Sequence, residues 1–195
     1  MNDKYDGIEE VEQTPWQILT KERVLNTPVF DIYREKSICP RNGKAGNFYV
    51  IDCPRSWVNI AAVTKNDELV LVKQYRQGSR KFELETPGGC IERGEDPLTA
   101  GIRELREETG YVGENPRIIG RVSPNPALQG NYCYAMLIEN VEKTAETEFD
   151  DGEDIFCMKI PYRKVKEMIL SGEIDHGLVL NTLMFYEYIR NKTTK

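Results

Sequence analysis

The 195-residue chain lacks long apolar runs, paired cysteines and any second histidine. No window approaches the roughly 18 apolar residues that a membrane span requires, so we expect no membrane partner. The five cysteines stand far apart and form neither a C-x-x-C pair nor a zinc-binding spacing: Cys39, Cys53, Cys90, Cys133 and Cys157. We interpret them as reduced thiols of a cytoplasmic protein.

The chain also lacks an excess of basic residues. Its 26 Lys and Arg against 32 Asp and Glu give a net charge of −6, which argues against non-specific binding to nucleic acid or to an anionic membrane. An acidic enzyme that acts on an anionic substrate needs metal ions or a local basic patch. The lone His176 excludes a two-histidine metal site. It could still serve as a base, although a solvated or capping role is commoner.

What is present divides into three segments. Residues 1–14 are acidic and polar and predict a tail. Residues 15–52 contain short strand-like runs such as 28–33, broken by the turn-rich 39–43, and predict a small N-terminal β subdomain. Residues 53–195 alternate strand and helix patterns and predict the main domain.

In the main domain, the patterns predict strands over 57–63, 68–75, 117–122, 132–138 and 155–160, and helices over 97–109, 162–170 and 177–190. The helix over 97–109 has the clearest ends, because Asp96 can cap it, Pro97 fits its first turn and Gly110 can adopt the left-handed stop. Its predicted buried stripe follows the i, i+3, i+4, i+7 spacing: Leu98, Gly101, Ile102 and Leu105.

Three glutamates of this helix share one face. Glu104, Glu107 and Glu108 fall within about 100° of one another on a helical wheel, and like charges at these spacings destabilise a helix. A divalent cation reverses that repulsion, and carboxylate oxygens suit Mg²⁺ or Mn²⁺ rather than zinc. The alternative is a solvated acidic face that Arg103 and Arg106 neutralise.

The context makes this pattern specific. Residues 89–111, GCIERGEDPLTAGIRELREETGY, resemble the Nudix box, G-x5-E-x7-R-E-U-x-E-E-x-G-U. The fixed positions that match are Gly89, Glu95, Arg103, Glu104, Leu105, Glu107, Glu108 and Gly110. Only Tyr111 departs, since the family usually has an aliphatic residue there.

The resemblance implies an α/β (α+β) fold, an α/β/α sandwich with a mixed sheet. The ligands that it implies for Mg²⁺ or Mn²⁺ are three carboxylates and one backbone carbonyl, those of Glu104, Glu107, Glu108 and Gly88. It also implies catalytic roles for Glu107 and Glu108, with Arg103 orienting a neighbouring glutamate. An ordinary helix pair between Arg103 and Glu107 is the alternative, and the two roles are compatible.

Outside the box, residues 16–190 resemble the ADP-ribose pyrophosphatase branch of the family and its nucleotide-sugar relatives. The run 71–76, LVKQYR, looks like the branch's strand that ends in a substrate-binding arginine, here Arg76, although a surface arginine is the alternative. Glu85 begins ETPGG, which is similar to the branch's E-L-P-A-G turn, and it would border the substrate. Pro126, sixteen residues beyond the last glycine of the box, either binds substrate or stiffens a loop.

The acidic run 150–154, DDGED, resembles the branch's catalytic loop, D-E-x-E-D-I. We favour Glu153 over the shorter Asp151 as the general base or a further metal ligand, and an exposed acidic turn is the alternative. In this branch the N-terminal subdomain mediates a homodimer and helps to hold the adenine. Candidates for stacking on the base are Trp16, Phe30, Tyr33 and Trp57, with burial in a core as the commoner role.

These features predict a Nudix hydrolase that splits the diphosphate bond of a nucleoside diphosphate derivative, with ADP-ribose, cleaved to AMP and ribose 5-phosphate, as the leading substrate. GDP-mannose or another nucleotide sugar is the alternative, because pocket residues and not the box set that choice. A non-catalytic nucleotide sensor is the alternative of a different class. Such modules typically lose box carboxylates, which are all present here.

Overall fold

The computed structural model describes residues 13–148 and 154–193, which form two compact units. The first unit comprises residues 13–52 together with Ala127–Gln129, and the second comprises the other described residues. The predicted general base Glu153 and its alternative Asp151 lie outside the described residues.

The first unit is a three-stranded antiparallel sheet of order β1-β2-β3, with strands β1 (Gln17–Asn26), β2 (Asp31–Ile38) and β3 (Ala45–Asp52). The predicted turn at 39–43 joins β2 to β3, where the Gly43 N–H donates to the Cys39 carbonyl oxygen at 2.9 Å. Gly43 has a φ of +68°, which glycine adopts without strain. Strand β1 is exposed along its whole length.

The described part of the second unit contains one sheet and three helices. Its elements are β4 (Trp57–Val63), β5 (Glu68–Arg76), β6 (Lys81–Glu85), β7 (Gly88–Cys90), α1 (Pro97–Thr109), β8 (Tyr111–Val122), β9 (Cys133–Lys143), β10 (Ile155–Pro161), α2 (Tyr162–Ser171) and α3 (Gly177–Thr193). The sheet has the order β10-β5-β4-β9-β8, with β6 paired to β5 and β7 to β4. Only β4 and β9 are parallel among these pairs, which confirms the predicted mixed sheet.

Apolar side chains alternate between the two faces of this sheet and build a core on each. Val58 of β4 packs in the same core as Leu105 of α1. Successive side chains of a strand point to opposite faces, so Ala61 of β4 lies on the other face of the sheet. It shares a core there with Val165 of α2 and Leu183 of α3. Helices therefore cover both faces, which confirms the predicted α/β/α sandwich. None of the helices in the described ranges is long and apolar enough to cross a lipid bilayer.

The helix α1 begins and ends where the sequence predicts. The Asp96 carboxylate accepts hydrogen bonds from the backbone N–H groups of Leu98 at 2.9 Å and Thr99 at 3.2 Å. Gly110 adopts the left-handed conformation with a φ of +72°, and its N–H donates to the Arg106 carbonyl oxygen. Both ends are thus fixed by local chemistry.

The face that α1 buries differs from the prediction at Ile102, whose side chain is 43% exposed. The helix instead meets the sheet through Gly101, where an added Cβ would overlap the sulfur of Met136 and lie 3.2 Å from Val58. Leu105 belongs to the same buried face. Because the contact is centred on Gly101, the large Ile102 side chain lies at its margin, and its predicted burial is wrong.

Two further differences concern irregular strands. The Pro-Gly-Gly run was expected to form a turn, but Gly88–Cys90 pairs with β4 as β7. Glycine is required there because a Cβ at Gly88 would overlap the Val58 carbonyl oxygen. Strand β8 begins six residues before the predicted 117. Register shifts around Pro116 accommodate that residue but remove the regular alternation on which the prediction depended.

We expect Gly101→Val to lower the free energy of unfolding by about 1–3 kcal/mol, because overpacking a filled interior carries that penalty. Gly177→Val is the matched control, since a Cβ added at this first residue of α3 meets no heavy atom within 4 Å. Urea denaturation followed by circular dichroism measures both variants. Equal stability of the two would contradict the close approach of α1 to the sheet.

Candidate active site

A cleft of about 750 Å³ opens in the second unit, between α1, the strands β4 to β7 and the start of α3. Acidic residues dominate its lining: Glu83, Glu85, Glu92, Glu104, Glu107, Glu108 and Glu148. The basic side chains and the histidine that line it are Arg55, Arg76, Arg103 and His176. A cleft with this excess of carboxylates concentrates cations.

Arg103 is the centre of an ionic network on the α1 side of the cleft. Its Nε and Nη2 donate to the two carboxylate oxygens of Glu95, each at 3.0 Å. Its Nη1 donates to Glu104 and to Glu107, each at 2.9 Å. Nη2 also donates to the Cys90 carbonyl oxygen at 3.2 Å. One guanidinium therefore joins α1, β7 and the loop that precedes the helix.

These contacts stabilise the charged forms of both partners. Hydrogen bonding from Arg103 holds the pKa of Glu95 below its usual value, and the same bonding raises the pKa of Arg103 above its usual range. Glu95 also accepts a hydrogen bond from the Glu92 N–H at 2.9 Å. Glu95 thus fixes the loop before α1 and the position of Arg103 at once.

The two glycines of β7 bring the backbone against the carboxylates of α1. Glu108 is only 3% exposed, and its carboxylate accepts a hydrogen bond from the Gly88 N–H at 2.9 Å. At Gly89, an added Cβ would lie 2.5 Å from the Glu104 carboxylate carbon. Any larger residue at Gly89 would therefore displace Glu104.

The donor chemistry of this wall fits a hard divalent cation. Glu104, Glu107 and Glu108 all line the cleft, and the absence of a Cβ at Gly89 keeps the Glu104 carboxylate beside the backbone of β7. Across residues 13–148 and 154–193, no group of three or more Asp, Glu, His or Cys side chains is arranged so that it could hold a metal ion. Arg103 holds two of the carboxylates, but a carboxylate bonded to arginine keeps further lone pairs for a metal. The metal ligands stay a prediction.

A second ionic pair joins β5 to β6. Arg76 donates through Nε and Nη2 to the two oxygens of Glu85, at 2.7 and 2.8 Å, in the bidentate geometry that matches guanidinium to carboxylate. These bonds raise the pKa of Arg76 above its usual value. The Glu85 side chain is 4% exposed and that of Arg76 45%. The guanidinium therefore rests on a buried carboxylate and has further N–H groups for a ligand.

The cleft collects most of the predicted site residues of the described chain. Those that line it are Trp57, Arg76, Glu85, Gly88, Arg103, Glu104, Glu107 and Glu108. Pro126 is exposed and does not line the cleft. The aromatic candidates Trp16, Phe30 and Tyr33 belong to the first unit. The roles assigned to these residues stay predictions.

Several polar lining residues were missed from the sequence: Arg55, Asn59, Gln74, Gln77 and Ser79. A signal for two of them was present, because alternate residues of an extended strand share a face, and Trp57 lies between Arg55 and Asn59. Among the described residues, no carboxylate forms an ion pair with Arg55. Arg55 thus differs from Arg76 and Arg103, which are both paired.

Comparison with known proteins identifies the family of the chain. The NUDIX domain matches residues 55–177. An ADP-ribose pyrophosphatase of Bacillus subtilis (strain 168) is 29% identical over 157 residues, which are 80% of this chain and 84% of that protein. A methanol dehydrogenase activator of Bacillus methanolicus is 30% identical over 155 residues, which are 77% of this chain and 83% of that protein.

A solved structure shows the same fold. The crystal structure of an ADP compounds hydrolase superposes with a TM-score of 0.83 at 19% identity, covering 94% of this chain and 98% of that chain. The NUDIX match spans well over half of the chain and contains the whole glutamate-rich segment 89–111. The chain therefore belongs to the Nudix hydrolase family and resembles its ADP-ribose pyrophosphatase branch.

Proposed function

We propose that the protein hydrolyses the diphosphate bond of ADP-ribose to give AMP and ribose 5-phosphate, with Mg²⁺ as its cofactor. The observation that carries the proposal is the content of one cleft, in which Arg103 organises a wall of glutamates and buried Glu85 holds the guanidinium of Arg76. The similarity to an ADP-ribose pyrophosphatase over 80% of the chain supports this substrate.

The residues that would hold Mg²⁺ are Glu104, Glu107, Glu108 and, through its carbonyl, Gly88. Bound Mg²⁺ supplies neutralisation of the diphosphate charge and activation of a water molecule, and Mn²⁺ has similar ligand preferences. Arg103 keeps Glu104 and Glu107 in place through its two hydrogen bonds. For the general base we propose Glu153, on the motif alone.

The substrate itself needs cationic and flat surfaces in an acidic cleft. Arg76, fixed by Glu85, and Arg55, which no described carboxylate neutralises, bind phosphate oxygens in this proposal. Trp57 is half-buried at the cleft wall and offers an aromatic ring to the nucleotide. Positioning by such groups is how an enzyme converts binding energy into a reactive geometry.

A nucleotide sugar such as GDP-mannose is the alternative substrate. The methanol dehydrogenase activator is 30% identical to this chain and the ADP-ribose pyrophosphatase 29% identical, so similarity alone does not choose between activities. A non-catalytic nucleotide sensor is the alternative of a different class. The presence of Glu104, Glu107 and Glu108 together in the cleft argues against it.

We also propose that the protein is a cytoplasmic homodimer joined through its first unit. This unit exposes large apolar side chains on and beside its sheet, which mark an interaction surface: Trp16, Ile18, Leu19, Val24, Leu25, Phe48 and Tyr49. A second copy of the chain would remove this surface from water. The five cysteines are odd in number and form neither a C-x-x-C pair nor a zinc-binding spacing, which supports a reducing compartment.

The substrate is tested by product formation from ADP-ribose, GDP-mannose, NADH, diadenosine polyphosphates and dGTP, with Mg²⁺ and with EDTA. We expect rapid formation of AMP from ADP-ribose that EDTA abolishes. Glu108→Gln should lower turnover by at least about 100-fold, because it removes the charge of a metal ligand. The fold should survive, since the glutamine amide oxygen can still accept the Gly88 N–H.

Glu142→Gln, at an exposed position of β9, is the control for the loss of one acidic charge. Near-normal activity of Glu108→Gln would refute the assignment of metal ligands. A clear preference for GDP-mannose would replace the proposed substrate. Tight binding without turnover would favour the sensor.

We expect Arg55→Gln to raise the KM for ADP-ribose about 10-fold or more with a smaller change in kcat. The reason is that a hydrogen bond to a charged group contributes about 1.5–3 kcal/mol, and about 1.4 kcal/mol is tenfold in affinity. Arg163→Gln, at a side chain 92% exposed on α2, removes the same charge away from the cleft and is the control. An unchanged KM would remove Arg55 from the substrate site.

The dimer is tested by light scattering after size-exclusion chromatography. We expect the wild-type protein to have the mass of two chains and the double variant Ile18→Glu, Leu25→Glu to have the mass of one, because a charge is costly to bury in an apolar interface. Leu170→Glu is the control, since this leucine of α2 is 89% exposed in the second unit. A monomeric wild-type protein, or a dimeric double variant, would rule out this interface.

A further inference from the structure

His176, the only histidine of the chain, is held at the cleft wall by the residues on both sides of it. Its carbonyl oxygen accepts the Leu180 N–H at 3.0 Å, which ties it to the first turn of α3. The preceding Asp175 accepts two hydrogen bonds from Lys81 Nζ, at 2.7 and 2.9 Å, and Ile174 is buried in the core. The backbone at His176 is therefore fixed from both directions.

The imidazole itself has an unsatisfied atom. Its Nδ1 is buried and has no hydrogen-bond partner among the described residues. The Oε2 atom of Glu85 lies 3.8 Å away, beyond the usual hydrogen-bond range of about 2.7–3.2 Å. Buried polar atoms without a partner are rare in native proteins, and each calls for an explanation such as a functional role. The unpaired Nδ1 points to an imidazole whose hydrogen bonds are all formed only when a ligand is bound.

Glu85 can accept a hydrogen bond from the imidazole of His176 without releasing Arg76. Each of its oxygens accepts one hydrogen bond from Arg76 and keeps a second lone pair. A small movement of the ring therefore lets His176 donate its Nδ1–H to Oε2. When the imidazole is neutral, that bond fixes its tautomer and makes Nε2 an acceptor. The side chain is 36% exposed, and this exposed part is available to the cleft.

An acceptor nitrogen selects the chemistry of its ligand. Phosphate oxygens are themselves acceptors and do not pair with it, whereas a hydroxyl group both donates and accepts. The same hydroxyl can accept from an N–H of Arg76, which rests on the same carboxylate. Side chains that also donate and accept line the same cleft: Gln74, Gln77 and Ser79. This combination is suited to a sugar.

We propose that His176 binds a sugar hydroxyl of the substrate through Nε2 and that Glu85 is the residue that positions its ring. The inference rests on the proposed function for a substrate that carries a sugar on its diphosphate. It makes His176 a specificity-determining residue, separate from the glutamates of α1. The Glu85 carboxylate then serves two binding groups, Arg76 for phosphate and His176 for the sugar.

The test compares two conservative variants of His176. In His176→Gln the amide group reaches the position of Nε2, whereas in His176→Asn the shorter amide reaches only that of Nδ1. For each we would measure kcat and KM for ADP-ribose, the inhibition constants of AMP, ribose 5-phosphate and inorganic phosphate, and the melting temperature. Calorimetry would give the affinities of ADP-ribose and of both products in EDTA.

We expect His176→Asn to raise the KM about 3- to 10-fold, the effect of losing one neutral hydrogen bond, with a smaller change in kcat. It should weaken binding of one of the two products by a similar factor and leave inhibition by inorganic phosphate unchanged. His176→Gln should resemble the wild type in all these constants. Neither variant should lower the melting temperature, because the buried unsatisfied atom adds nothing to stability.

Three results would overturn the proposal: wild-type constants for His176→Asn, rescue by Asn instead of Gln, or an equal loss of inhibition by inorganic phosphate, which would assign the contact to phosphate. If the wild-type protein does not hydrolyse ADP-ribose but His176→Asn still weakens the binding of one product, the proposed function fails and the role of His176 stands. If the wild-type protein hydrolyses ADP-ribose but neither variant has an effect, the proposed function stands and the role of His176 fails. A wild-type protein that binds none of these compounds refutes both.

Discussion

The hydrogen bonds made by Arg103 are the constraint on which the arrangement of the glutamates in the cleft depends. Glu104 and Glu107 lie on one face of α1, and without a counter-charge their repulsion would push the side chains apart. The guanidinium holds both at 2.9 Å while Glu95 holds the guanidinium. Lysine could not replace it, because a point charge lacks the planar fork that reaches several acceptors in fixed directions. The glutamates are thus preorganised by an arginine that need not touch the substrate.

Glycine supplies the second constraint, because it sets how closely α1 can approach the sheet. At Gly101 the space of a side chain is taken by the Met136 sulfur, and at Gly89 by the Glu104 carboxylate. The short distance between α1 and β7 is also what allows Glu108, from within the buried face, to accept the Gly88 N–H. The packing of α1 against the sheet and the positions of its carboxylates therefore depend on the same short distance. A substitution that moves α1 away from the sheet also displaces the carboxylates.

The same physics decides how much could be predicted from sequence. The ends of α1 were predictable because Asp96 and Gly110 act within a few residues of the backbone groups that they satisfy. The burial of Ile102 was not, because it depends on where Gly101 meets a distant strand. Local patterns also could not place His176 at the cleft. The contact of His176 with Glu85 joins positions 91 residues apart (176 − 85), and no local periodicity reports such a contact.

Several groups around Glu85 add little to the stability of the fold or lower it. A buried carboxylate paired with arginine is often no more stabilising than apolar residues of the same volume. Moreover, the two buried side-chain atoms without a hydrogen-bond partner in the described chain are Thr86 Oγ1, in the residue next to Glu85, and His176 Nδ1, 3.8 Å from its carboxylate. Natural proteins retain such costs mainly at functional sites. In the proposed function, Glu85 therefore supports the groups that bind the ligand rather than the stabilising core.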